Sequence, residues 1–223
     1  MKLFLIISLV VLTISCKKEN DGDIIYGYEY FPDEEGKYVS YDVMDIVHDD
    51  PSEVHDTDFF QIKEVIGEIE IDGEGDETKK LYRYIRQSDT LSWALKDVWI
   101  IKKTNRSVEV VEENQRKIKM AYSISYDQYW DCNALSTLDA EQCYYDNVYM
   151  PISVGGFDHD SSVIVEHQDF TSYIEVLRSY EVYAPRIGKI LSVKRDLEIS
   201  NGDTLDIYKG TELFYTAFDW GTE

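Results

Sequence analysis

The sequence predicts an all-β protein built as a single domain, on three observations. After residue 15, isoleucine and valine outnumber leucine and alanine by more than two to one, and the chain holds 18 tyrosines. β-branched and aromatic side chains suit a pleated surface, whereas alanine and leucine favour helices. Apolar and polar residues then alternate with a period of two in run after run, with turn-forming clusters between the runs. No helix-period stretch of useful length follows the N-terminal segment, and no repeat or low-complexity linker divides the chain. About ten antiparallel strands in one domain account for the 223 residues.

The first element is an address. Lys2 gives a positive start, and Leu3 to Leu12 is apolar except for Ser8. Ten helical residues rise about 15 Å, half the hydrocarbon thickness of a bilayer, so a signal-peptide core fits better than a permanent span. Thr13-Ile14-Ser15 and Cys16 follow. This end resembles a bacterial lipoprotein signal, in which residues 1–15 are removed and Cys16 is lipidated. Thr13 stands where such signals usually carry leucine. Residues 16–25, opening Cys16-Lys17-Lys18-Glu19-Asn20-Asp21, read as a polar tether, and residues 26–223 as the β domain. The lysines followed by acids resemble the surface-export tether of lipoproteins in the Bacteroidota. The expected location is therefore the cell envelope, lipid-anchored in the outer membrane, with the surface and periplasmic faces both open.

The strand runs come next. Val39, Tyr41, Val43 and Val47 share one parity, interrupted by Asp45. Ile69 and Ile71 alternate with acids. Val98 to Ile101 and Val108 to Val111 flank Thr104-Asn105-Arg106, a predicted hairpin. Ile118, Met120, Tyr122 and Ile124 form a half-buried pattern, and Val163 and Val165 share a face with His167. Ile174, Val176, Tyr180 and Val182 continue on one parity around Arg178, and Leu205 to Tyr208 begin a last strand after Asn201-Gly202-Asp203. A short helix also fits between Cys132 and Asp146.

With Cys16 lipidated, Cys132 and Cys143 remain, and an even pair in an oxidising compartment predicts one structural disulfide. Metal thiolates and a redox pair are the rivals, but the spacing is not CxxC and no ligand cluster adjoins in sequence. Acids outnumber bases 44 to 22, for a formal charge of −22. Such a field argues against nucleic acid and favours basic partners or divalent ions.

Two segments carry a further resemblance. Tyr30-Phe31-Pro32 with Gly36 and Tyr38 is similar to the opening of many extracytoplasmic bacterial proteins. Val182-Tyr183-Ala184-Pro185-Arg186-Ile187-Gly188 looks like their closing element, with Arg186 where glycine is usual. Phe60-Gln61-Ile62-Lys63-Glu64 and Trp130-Asp131-Cys132-Asn133 add to it. Together they suggest an uncharacterised family of Bacteroidota outer-membrane lipoproteins. The resemblance implies a strongly curved antiparallel sheet, a half-barrel or open barrel like that of lipid carriers.

Candidate sites are few. His48, Asp49, Asp50, His55 and Asp56 crowd around Pro51 and can bind a divalent ion or form a solvated loop. Asp72-Gly73-Glu74-Gly75-Asp76 matches a calcium loop in composition but not in order, and reads as a flexible acidic turn. Gly156 to Asp160 is a weaker case of the same kind. Tyr82, Tyr84, Trp99, Tyr122 and Trp130 are candidates for an aromatic ligand surface or for ordinary sheet packing. Thr90 and Thr204, in D-T-L triplets, match a Bacteroidota O-glycosylation site, and Asn105-Arg106-Ser107 is an N-x-S sequon. There is no G-x-S-x-G, H-E-x-x-H or phosphate loop, so the expectation is no catalysis and no cofactor. The expected role is binding of an apolar or amphipathic ligand, or a surface interaction or glycan-capture role, or a structural envelope role.

Overall fold

The computed structural model describes residues 26–223, so the signal, Cys16 and the tether lie outside the described residues. A 3-10 turn (Tyr28–Tyr30) precedes twelve strands, and a second (Asp50–Ser52) lies between the first two. The strands are β1 (Lys37–Asp49), β2 (Val54–Ile71), β3 (Glu77–Arg86), β4 (Ala94–Lys103), β5 (Ser107–Glu112), β6 (Gln115–Ala121), β7 (Tyr129–Asp131), β8 (Gln142–Val154), β9 (Phe157–Thr171), β10 (Glu175–Ala184), β11 (Gly188–Ser200) and β12 (Asp203–Thr222). All join one antiparallel sheet, in the order β6-β5-β4-β3-β2-β1-β12-β11-β10-β9-β8-β7. Each strand therefore pairs with its sequence neighbours, except that β6 and β7 form the two edges, and the first and last strands pair along thirteen positions.

The sheet is nearly closed into a barrel. Its two edges meet where Ile118 N–H donates to the Cys132 carbonyl at 2.8 Å and the Trp130 indole donates to the Ile118 carbonyl at 3.0 Å. Curling so long a sheet requires local bends, and β-bulges supply them. Register steps by one residue at Phe218 of β12, Lys96 of β4, Lys119 of β6, His167 of β9 and Ile190 of β11. The expected half-barrel or open barrel is a nearly closed barrel, with twelve strands where about ten are expected. The three-residue β7 is too short to leave an alternating pattern.

The predicted helix between Cys132 and Asp146 is absent. Asp131 Oδ1 accepts the N–H groups of Asn133 at 2.9 Å and Glu141 at 3.0 Å, and the Asn133 amide donates to the Asp139 carbonyl at 2.8 Å. These side-chain bonds offer the backbone turns in place of a helix. The Cys132–Cys143 disulfide ties the ends of this loop, as predicted. The pattern through Tyr122 and Ile124 also outruns its strand: β6 ends at Ala121, and Ser123 takes a positive φ.

One end of the barrel is plugged and the other open. At the plugged end, Tyr30 is buried and its hydroxyl meets Ser161 Oγ at 2.6 Å. Phe31 packs on Tyr183, and Lys103 Nζ donates to the Phe31 carbonyl at 2.7 Å and to Asp33 at 2.9 Å. The tip of the β8–β9 hairpin folds onto β12 at this end, with Phe157 edge-on to Trp220. Gly155 makes the approach close: a Cβ there would lie 2.6 Å from the Ala217 carbonyl oxygen. The β1–β2, β3–β4, β5–β6, β9–β10 and β11–β12 turns all lie toward the open end. Among the described residues no helix is long and apolar enough to cross a membrane.

Candidate functional site

Opposed residues of antiparallel strands point to the same face, so the pairings define the lumen. Tyr41, Val43, Glu64, Arg83, Trp99, Val110, Val165, Glu181, Tyr183, Lys189 and Tyr215 face it. Two chambers result. The outer one, at the open mouth, is a cavity of about 800 Å³ lined by Lys117, Lys119, Glu112, Asn133, Glu141, His167, Glu181, Lys194 and Asp196, among others. The inner one is a pocket of about 60 Å³ behind Trp99, Leu81, Val110, Tyr183 and the plug residues Phe31 and Pro32. Glu112, Lys119 and Glu181 line both, so this charged trio is the partition between them.

The partition is an ordered ion network. Lys119 Nζ lies 2.6 Å from Glu112 and 3.4 Å from Glu181. Glu181 also takes a hydrogen bond from the Tyr183 hydroxyl at 2.8 Å and faces His167 Nε2 at 3.5 Å. Burial opposes ionisation of Glu181, but the Lys119 charge, the His167 hydrogen bond and the Lys189 charge reverse it, leaving the carboxyl well below its usual value. Lys119 is pulled the same way: burial lowers it, and Glu112 and Glu181 raise it above an ordinary lysine. Deeper in, Arg83 joins Glu64 at 3.2 Å and Asp97 at 3.0 Å, and stacks over Trp99 at 3.7 Å. Glu64 is also raised by burial and then carried below the carboxylate norm by Lys189 and Arg83.

One member of the partition, Lys119, and its neighbour His167 stand at bulges. Between the Val108–Met120 and Glu109–Ile118 pairs, Lys119 has no opposite number, and between Ser179–Gln168 and Tyr180–Glu166 neither has His167. A bulge re-aims side chains off the two-residue period, which places Lys119, His167 and Gln168 on one cavity. His167 Nδ1 then sits 3.2 Å from Cys143 Sγ and 3.8 Å from Cys132 Sγ. The two sulfurs are bonded to each other, so this trio holds no thiolate for a metal.

The predicted site residues separate. Trp99 lines the inner pocket, and its buried indole N–H has no partner among the described residues. Tyr82 and Tyr84 share the opposite, outward face of β3 with Lys63 and Glu68 nearby. Tyr122 is buried at the plugged end beneath Tyr28, and Trp130 packs on Tyr145 at the seam. The five aromatics therefore form no single ligand surface, because alternation and the seam send them to different faces. The acidic turn is likewise filled from within. Lys102 Nζ lies 3.0 Å from Asp72, 3.1 Å from Glu74 and 2.6 Å from Asp76, taking the position a cation would hold. Asp72 is held at about 2 by the Asp76 backbone N–H and Lys102. Thr90 and Thr204 are exposed near the mouth end. His48 and His55 are brought face to face across the β1–β2 hairpin, with Asp50 beside His55; Asp49 pairs with Lys209, and Asp56 pairs with Val47.

Neither the comparison with protein-family models nor that with curated proteins returns a match to this chain.

Proposed function

We propose that this is a lipid-anchored extracytoplasmic binding protein of the outer membrane that holds a small amphipathic molecule in the mouth of its barrel and does not transform it. One observation carries the reading: the large chamber is polar, about 800 Å³, with a floor of paired charges. That volume falls in the range of small-molecule sites, roughly 300–1,000 Å³. The inner apolar pocket, at about 60 Å³, falls far below that range. It suits a short apolar tip and leaves no room for a long acyl chain, so the wholly apolar ligand gives way to an amphipathic one. The ligand's polar end lies against Lys194, Lys117 and His167. Lys194 makes no ion pair among the described residues and is the natural contact for an anionic group.

In this reading the lipid anchors the chain at Cys16. A ten-residue tether spans at most about 35 Å and joins the domain at the plugged end, so that end stays within this distance of the membrane. The test is a thermal-shift screen of the purified full-length protein against fractionated small molecules from its own envelope. A fraction that raises the melting temperature of the wild type but not of Lys194→Ala supports the reading. No stabilising fraction, or equal stabilisation of both proteins, refutes it.

A second reading, surface interaction, is favoured by one feature. Phe170, Tyr173, Ile174, Leu205 and Tyr208 are exposed together on the β9–β10 and β11–β12 hairpins at the mouth end. Apolar groups clustered on a rim mark partner surfaces. Tyr173→Ser with Leu205→Ser would abolish crosslinks in intact cells under this reading and leave them unchanged under the first.

A further inference from the structure

The β1–β2 hairpin holds a pair of histidines that the lumen does not use. His48 and His55 are directly opposed in the ladder, and their Nδ1 atoms lie 3.4 Å apart with the rings inclined at 62°. Each outer nitrogen faces a carboxylate. His48 Nε2 is 3.0 Å from Glu212 Oε1 on β12, and His55 Nε2 is 3.8 Å from Asp50 Oδ1. Glu212 is fixed in turn by Arg195, whose Nε donates to Oε2 at 2.5 Å.

This arrangement has a chemical consequence. The Glu212 carboxylate can only accept, so His48 carries its proton on Nε2 and presents a bare lone pair at Nδ1. The close Nδ1 contact then has His55 Nδ1–H donating to that lone pair. If His55 shifts its proton to Nε2, where Asp50 faces it, both inner nitrogens become bare and convergent. Two nitrogens bound to a tetrahedral ion at about 2.0–2.1 Å stand about 3.4 Å apart. A carboxylate behind a ligating histidine orients the ring and raises its basicity. Imidazole donors select zinc, copper and nickel over calcium and magnesium.

We propose that His48 and His55 chelate one divalent transition-metal ion through their Nδ1 atoms, with Glu212 and Asp50 as the carboxylates that orient them. His55 is half-exposed, so water completes the coordination. The sequence marked His48, Asp49, Asp50, His55 and Asp56 alike; the fold selects two ligands and one supporting acid among them, and adds Glu212 from the far end of the chain.

The test is titration of the full-length protein in detergent with Cu²⁺ and Zn²⁺, by calorimetry and by electron paramagnetic resonance of the copper form. The expected result is one tight ion per chain with two nitrogen donors in the copper spectrum. His55→Ala and His55→Asn would each lose the second nitrogen. Glu212→Gln would weaken binding roughly tenfold or more, the usual cost of losing an orienting carboxylate. His159→Ala, remote from the hairpin, would leave binding unchanged, and circular dichroism would show each variant folded. Unchanged affinity in His48→Ala/His55→Ala would assign the ion to surface carboxylates and overturn the proposal. So would a wild type with no tight ion, or a copper spectrum without nitrogen coupling.

Discussion

Glu166 is a carboxyl whose surroundings oppose its ionisation. It sits between β8 and β10, and burial outweighs the nearby Arg178 charge, so its carboxyl is pushed up to about 7. One of its oxygens has no hydrogen-bond partner among the described residues. The folded state holds this proton more firmly than the unfolded chain, where a glutamate titrates near 4.3. Its contribution to stability is therefore full below about 4.3 and is lost as the pH rises through 7. Glu64 and Glu181 act oppositely: their depressed values contribute stability above about 4.3 that is lost as the pH falls through their folded values. Urea unfolding of the wild type should show stability declining between pH 5 and 8, and Glu166→Gln should flatten that decline; a slope that survives the substitution would contradict this account of Glu166. Lys119→Met leaves two buried carboxylates facing each other without their cation. It should cost about 3–5 kcal/mol in the same assay at pH 7, and a cost under about 1 kcal/mol would show that the partition is not an ion network. Little of this was legible in the sequence. Glu166 and Glu181 are two of 44 acids, and the bulges at Lys119 and His167 break the alternation by which a reader assigns faces.

At the scale of elements, the strands and turns were the readable part. The Thr104–Arg106 hairpin and the Asn201-Gly202 turn fall where the turn residues stand, because short antiparallel connections depend on local chemistry. Closure was not readable. It depends on the seam bonds from Ile118 to Cys132 and from Trp130 to Ile118, and on a loop shaped by Asp131 and Asn133, contacts that no period encodes. The disulfide ties the end of β7, the short edge strand at this seam, to β8. Replacing both cysteines by serine should lower stability by roughly 3 kcal/mol, the chain-entropy value for a loop of this length, and should raise hydrogen exchange in β6 and β7 before the rest of the sheet. Equal exchange throughout would mean that the seam is held by packing alone. The plug is the second closing element. Tyr30→Ala removes a buried ring and should cost about 3–5 kcal/mol, with dye binding revealing the opened inner pocket.

The whole molecule is an acidic barrel with one sealed and one open end. A formal charge of −22 repels itself, so moderate salt should stabilise it by screening. The same field leaves basic partners and cations as the favoured visitors to its surface. The interior is divided differently from a lipid carrier: its large space is wet and charged, and its apolar space is small. That division carries the binding claim, and native mass spectrometry of the protein purified gently from its own cells tests it. The expected result is an extra small-molecule mass that stays on residues 26–223 once the preceding residues are cleaved away, and that is lost from Lys194→Ala. A bare domain mass, or an adduct with the mass of a long-chain lipid, would contradict it.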